Sequence, residues 1–223
     1  MIARNLLLTA GLLCLPLAGK AHYLWIESET PTEARVYFGE FVEDVREKAG
    51  GRLDEREKLE GKLAVADKAT ALKFEKKPDH FAVKLEQPSG WLLVQDLADG
   101  VKDWTKSDIG IVKPMFYARA AVANKPAPAK SALLLDILPT GQDANQLRVV
   151  FKDQPLANAK VLVSAPNLWM QELKTDDAGQ VKISTPFPGR YVIEVIHKER
   201  TPGEFEGKAY EAIRHRATYS QVY

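Results

Sequence analysis

The chain has 223 residues and carries 31 Lys plus Arg against 30 Asp plus Glu, a balance too even for the basic footprint of a nucleic-acid binder or of a protein held on an acidic membrane surface. Its single cysteine, Cys14, leaves no thiol further along, so disulfides and cysteine-ligated zinc are excluded from the rest of the chain. Stability has to come from an apolar core, which about 200 residues in one or two domains can supply.

Residues 1–21 read as a secretory leader: Arg4 supplies the positive start, Leu6 to Leu17 is a mostly apolar run, and Gly19 and Ala21 put small residues at the −3 and −1 positions of a cut after Ala21. That run is too short to span a bilayer, and no later stretch reaches the necessary length. Leu13 precedes Cys14 where lipoprotein processing wants a small residue, so no lipid anchor is expected. The expectation is a soluble protein, periplasmic or secreted, with no membrane span in its mature chain. Loss of Arg4 and Lys20 would leave 29 cations against 30 carboxylates.

After the leader, His22 to Glu27 alternates as a strand, with Tyr23 and Trp25 on one face and Leu24 and Ile26 on the other. Ala34 to Phe41 is a second β-rich run. From 42 to 62 the chain is charge-dense and poor in apolar residues around Gly50-Gly51, which reads as a solvated insertion, either two short helical turns around the glycine break or a mobile surface excursion. Strand texture returns at 62–66, 71–74, 80–85 and 91–97, separated by turn residues about ten positions apart, an all-β signature, and again at 109–122.

Asn124 to Lys130, with Pro126 and Pro128, reads as an extended linker between an N-terminal β domain, 22–123, and a C-terminal one, 131–223. Six strands are expected at 132–138, 146–151, 159–164, 169–175, 181–185 and 190–197, and a seventh within 210–223. The fold class is therefore all-β, two sandwich-like domains, the second immunoglobulin-like or transthyretin-like.

Pro155-Leu156-Ala157-Asn158-Ala159-Lys160-Val161, Thr175-Asp176-Asp177-Ala178-Gly179 and Pro188-Gly189-Arg190-Tyr191 resemble the recurring signature of transthyretin-like domains. With Ala21-His22-Tyr23-Leu24-Trp25, Tyr37-Phe38-Gly39-Glu40 and Leu135-Asp136-Ile137-Leu138-Pro139, the whole resembles an exported bacterial family of unknown function commonly labelled a periplasmic component of cobalt or nickel transport. The resemblance implies a metal ion as cargo and an inner-membrane metal transporter as partner. The stretch Tyr210 and Arg214 to Thr218 is similar to that family's closing strand, with Arg216 where an aromatic residue is expected.

The residues themselves point the same way. A cut after Ala21 makes His22 the first residue, and an α-amine with an imidazole on one residue chelates borderline ions such as Ni, Co and Cu. A cut after Gly19 would instead place His22 third, with amine, two amides and imidazole in a square plane suited to Cu(II) or Ni(II). Further donors are sought in His197 and His215, which adjacent last strands would bring together, and in Glu40, with Glu27 as a supporting carboxylate. His80, after Pro78-Asp79, reads as a surface residue.

Two other functions compete. One is a non-catalytic interaction or carrier module in which Trp25, Trp91, Trp104 or Trp169 contributes a surface; the other is an N-terminal-histidine copper oxidase resembling polysaccharide monooxygenases. No serine has a placed His/Asp pair and no glycine-rich loop leads into a helix, so a classical enzyme is not expected.

Overall fold

The computed structural model describes residues 22–28, 30–122, 131–141 and 143–223. The expected leader, 1–21, and the expected linker, 124–130, lie outside the described residues. In chain order the strands of the first half are β1 (Tyr23–Glu27), β2 (Glu33–Glu40), β3 (Val45–Arg46), β4 (Glu60–Val65), β5 (Lys68–Ala71), β6 (Glu75–Lys76), β7 (Phe81–Lys84), β8 (Trp91–Asp96), β9 (Lys102–Trp104) and β10 (Gly110–Ala121). The second half adds β11 (Leu135–Pro139), β12 (Gln146–Phe151), β13 (Gln154–Pro155), β14 (Lys160–Ser164), β15 (Met170–Lys174), β16 (Gln180–Lys182), β17 (Arg190–Glu199), β18 (Gly203–Phe205), β19 (Lys208–Tyr210) and β20 (Ala212–Val222). Among the described residues the only helical pieces are two 3-10 turns, at Arg52–Arg56 and Thr105–Ser107, so the all-β expectation holds. No helix there is long and apolar enough to cross a membrane.

A nine-stranded sheet, ordered β15-β14-β17-β20-β10-β8-β4-β5 with β9 also on β10, organises the chain. It takes strands from both sides of the 124–130 stretch because β10 and β20 pair in parallel, Val112 with Ala212 through Ala120 with Ser220. Successive side chains of a strand point to opposite faces, so each long strand feeds two cores. Trp91, Leu93, Tyr117, Ile193, Val195, Ala217 and Tyr219 pack with Leu135, Ile137, Leu147 and Val149 of the four-stranded sheet β11-β12-β13, which β16 joins through β12. Their neighbours Leu92, Val94, Phe116 and Ala118 pack with Leu24, Ile26, Val36 and Phe38 of the five-stranded sheet β1-β2-β7-β6, to which β3 adds.

The first strand is buried on both faces. Leu24 and Ile26 enter the core with Phe38, while Tyr23 and Trp25 pack with Tyr37 and Val192, the Trp25 and Tyr37 rings stacked at 5.1 Å. The expected alternation is present, with no solvent face.

The expectation of a solvated insertion at 42–62 fails at two residues. Leu53 is fully buried, and the Arg56 guanidinium, also buried, meets Asp96 at 2.7 Å and Asp99 at 2.8 Å and lies 4.5 Å from the Phe38 ring centre. Charge density misleads here because paired carboxylates and an aromatic face replace the water that a buried guanidinium loses.

Candidate functional site

Tyr23 pairs with Gly39 in the β1–β2 ladder, so His22, one residue earlier, stands across from Glu40. The chain then turns through Phe41–Asp44 and returns as β3, where Arg46 pairs with Gly39 and the Glu47 amide donates to the Phe38 carbonyl at 2.9 Å. Gly39, at φ +150°, is what admits this close return, since a Cβ there would sit 2.0 Å from the Val45 carbonyl oxygen. Three backbone segments thus bring His22, Glu40 and Glu47 together.

His22 is 6% exposed. Its Nε2 contacts Glu47 Oε1, and its ring centre is 5.5 Å from that of Phe38. Its Nδ1 lies 3.2 Å from Glu40 Oε1, within ion-pair distance, yet among the described residues neither atom has a hydrogen-bond partner with acceptable geometry. We take the missing hydrogen bond as the informative fact, because separation alone does not make a bond. Two buried unpartnered polar atoms facing one another are costly, at about 1–3 kcal/mol for each such group, unless something sits between them. The backbone oxygen of His22 accepts from Arg216 at 3.3 Å.

His197 and His215 are brought together elsewhere. They are directly opposed in the antiparallel β17–β20 ladder, their rings stacked at 6.2 Å and both against Phe151, at 4.4 and 4.9 Å. His215 is fully buried; Glu199 Oε2 is 3.1 Å from its Nε2 and the Tyr117 hydroxyl is 3.0 Å from its Nδ1. Burial pushes the His215 imidazole down to about 4 against the opposing pull of Glu199, so it is neutral near pH 7. A neutral ring has one donor and one acceptor: Nε2–H donates to Glu199 and Nδ1 accepts from Tyr117, which leaves no lone pair for a metal. Burial also lowers His197.

The two histidine groups are on opposite faces of the central sheet. His215 points to Tyr117 and Phe151, whereas its neighbour Arg216 points to the His22 backbone and lies 4.4 Å from the Tyr23 ring centre. Packed sheets are about 10 Å apart and metal–nitrogen bonds are about 2 Å, so one ion cannot join His22 to His197 or His215 in this arrangement. The expected joint site of His22, Glu40, His197 and His215 therefore divides into a His22–Glu40 pair and a packed His197–His215 pair. Among the described residues no three His, Cys, Asp or Glu side chains converge as a metal cluster.

The other named positions have partners of their own. Glu27 accepts from the Trp25 indole at 2.9 Å and has Arg46 at 3.4 Å. His80 bonds Asp79 at 2.7 Å with its ring 5.4 Å from Tyr37. Arg216, in the position where an aromatic residue was expected, makes a two-point pair with Glu194 at 3.0 and 2.9 Å. Glu47 was missed because it lies in the charge-dense run; its one sequence signal is being seven residues after Glu40, across a turn that Gly39 and Asp44 (φ 52°) can close. No protein-family model matches the chain, and no curated protein is significantly similar to it.

Proposed function

We propose that the protein is an exported carrier of a transition metal ion, nickel, cobalt or copper, which it delivers to an inner-membrane transporter. The ion is held by the α-amine and Nδ1 of His22, exposed by a cut after Ala21, with Glu40 as the third donor. The observation that carries this reading is the unpartnered pair of His22 Nδ1 and Glu40 Oε1, 3.2 Å apart. Two donors each about 2 Å from one ion are themselves about 3 Å apart, so the gap suits a shared cation. Nδ1 is also the nitrogen that closes a six-membered chelate ring with the α-amine, and nitrogen-rich donor sets favour borderline divalent ions. The sequence resemblance to an exported cobalt/nickel family, with its transthyretin-like second half, supports the same reading.

Calorimetry with Ni, Co and Cu, on protein whose first residue mass spectrometry has verified as His22, tests it. Binding should be lost in His22→Ala and in protein whose His22 α-amine has been acetylated, which has the imidazole but no chelating amine. Glu40→Gln should weaken binding by more than the about 10–100-fold typical of a supporting residue. No heat above background for any of the three ions sinks the reading.

One observation favours a second reading, a small-molecule carrier without metal. Between the β4–β5 hairpin and the β6–β7 edge of the facing sheet, the layers part into a cleft of about 800 Å³ floored by Leu63, Leu72, Phe74 and Ala82. Ligand sites are commonly clefts of about 300–1,000 Å³ with apolar walls. Under this reading a fluorescent acyl probe binds, Leu72→Asp abolishes its binding, and His22→Ala leaves it unchanged; the absence of probe binding removes the reading.

A further inference from the structure

We infer that Glu47 is a positioning residue that selects which nitrogen of His22 is free to take an ion, an inference that rests on the metal reading above for its use. A carboxylate only accepts hydrogen bonds, so a neutral His22 in contact with Glu47 through Nε2 must carry its proton on that nitrogen. The lone pair is then on Nδ1, the atom 3.2 Å from Glu40 and the one that can close a chelate with the residue's own amine. The opposite tautomer would put the proton on Nδ1 and the lone pair against the Glu47 oxygens.

Glu47 is itself held from two sides. Its backbone amide is tied to the Phe38 carbonyl at 2.9 Å, and the Arg52 guanidinium stands 3.9 Å from the oxygen that contacts His22. The Phe38 ring packs against the imidazole, and the Arg52 and Arg56 guanidiniums lie 5.7 and 4.5 Å from the centre of that ring. Ring plane and proton position are thus set before any ion arrives. This is the arrangement in which an outer carboxylate orients a ligating histidine and raises its basicity. It also assigns the two carboxylates different tasks: Glu40 faces the open nitrogen, and Glu47 holds the closed one. Because they approach opposite nitrogens of one ring, they cannot both join that ring around a single ion, which fits the absence of a three-side-chain cluster among the described residues.

Nitrogen-15 NMR of the histidine rings in metal-free protein beginning at His22, at mildly alkaline pH, reads the tautomer directly. The expected result is Nε2–H for His22 in the unmodified protein and in Glu47→Gln, whose amide oxygen still accepts, and a mixture of tautomers in Glu47→Leu. Nickel affinity should fall about 10–100-fold in Glu47→Leu and be largely rescued in Glu47→Gln. A proton on Nδ1, or on both nitrogens, in the unmodified protein overturns the inference without needing any variant to fold. So does a folded Glu47→Leu whose tautomer is unchanged. Nickel binding with Nδ1–H would remove the role of Glu47 alone, whereas Nε2–H with no binding of Ni, Co or Cu would remove the metal reading alone.

Discussion

Asp136→Ala is expected to lower folding stability by about 3–5 kcal/mol, the largest effect of any single change considered for this protein. Arg119 on β10 and Asp136 on β11 are both buried and form a two-point pair, Nε to Oδ1 at 2.8 Å and a terminal nitrogen to Oδ2 at 2.6 Å. The same carboxylate accepts from the backbone amides of Ala132, Leu133 and Ile137 at 3.1, 3.3 and 3.0 Å. It therefore fastens the central sheet to the four-stranded layer where the chain enters β11. Alanine leaves the Arg119 guanidinium, 5.4 Å from the Trp91 ring centre, without its counter-charge. It also strands the buried amides of Leu133 and Ile137. Urea denaturation followed by tryptophan fluorescence measures the loss. Replacing both partners, Arg119→Met with Asp136→Leu, should recover the part due to the uncompensated guanidinium but not the part due to the amides, because a buried pair is far more costly to break than to exchange for apolar residues. A loss below about 1 kcal/mol in Asp136→Ala alone would show that solvent reaches Arg119 and that the pair does not hold the layers.

Stability is expected to fall by roughly 3 kcal/mol between about pH 6.5 and pH 4 through His215 alone. Its imidazole is pushed down to about 4 by burial, while in the unfolded chain it titrates at the ordinary histidine value near 6.5. Between those values the unfolded state binds the extra proton and the folded state resists it. The contribution is therefore intact above about pH 6.5, lost progressively as pH falls, and level below about pH 4. The groups facing the ring are Tyr117 from β10, Glu199 and His197 from β17, and Lys152 just beyond β12, which pairs with Glu199. Lys152 also holds the Glu199 carboxyl below its usual range, so that group adds to the acid loss in the same direction at lower pH. His215→Gln keeps an amide for Tyr117 and Glu199 and removes the titration. The difference in unfolding free energy between the two proteins should shrink by roughly 3 kcal/mol in favour of the variant on going from pH 7 to pH 4. Parallel pH profiles would show that the buried ring takes up its proton without unfolding.

Much of the fold was legible because a strand writes its period into the chain. Tyr23 and Trp25 against Leu24 and Ile26, the regular turn spacing, and the runs at 91–97, 109–122, 146–151 and 190–197 all mark strands that are present. Local residues could not say that Arg56 is buried, because a charged side chain is placed by its partners, and Asp96 and Asp99 are about 40 positions away.

The candidate site divides along the same line. Residue identity alone marked His22 as a candidate chelating position, Glu40 as a candidate carboxylate ligand, and His197 and His215 as a pair that adjacent last strands would bring together. Only the tertiary structure decided that the two groups are separate. The parity of β20 sends His215 to one face of the central sheet and Arg216 to the other, and that face cannot be known until β20 is paired with β10 and β17. Glu47 likewise became visible only when β3 folded back over Gly39, because side chains seven residues apart in a turn meet or miss according to a bend that the chain's own pattern does not record.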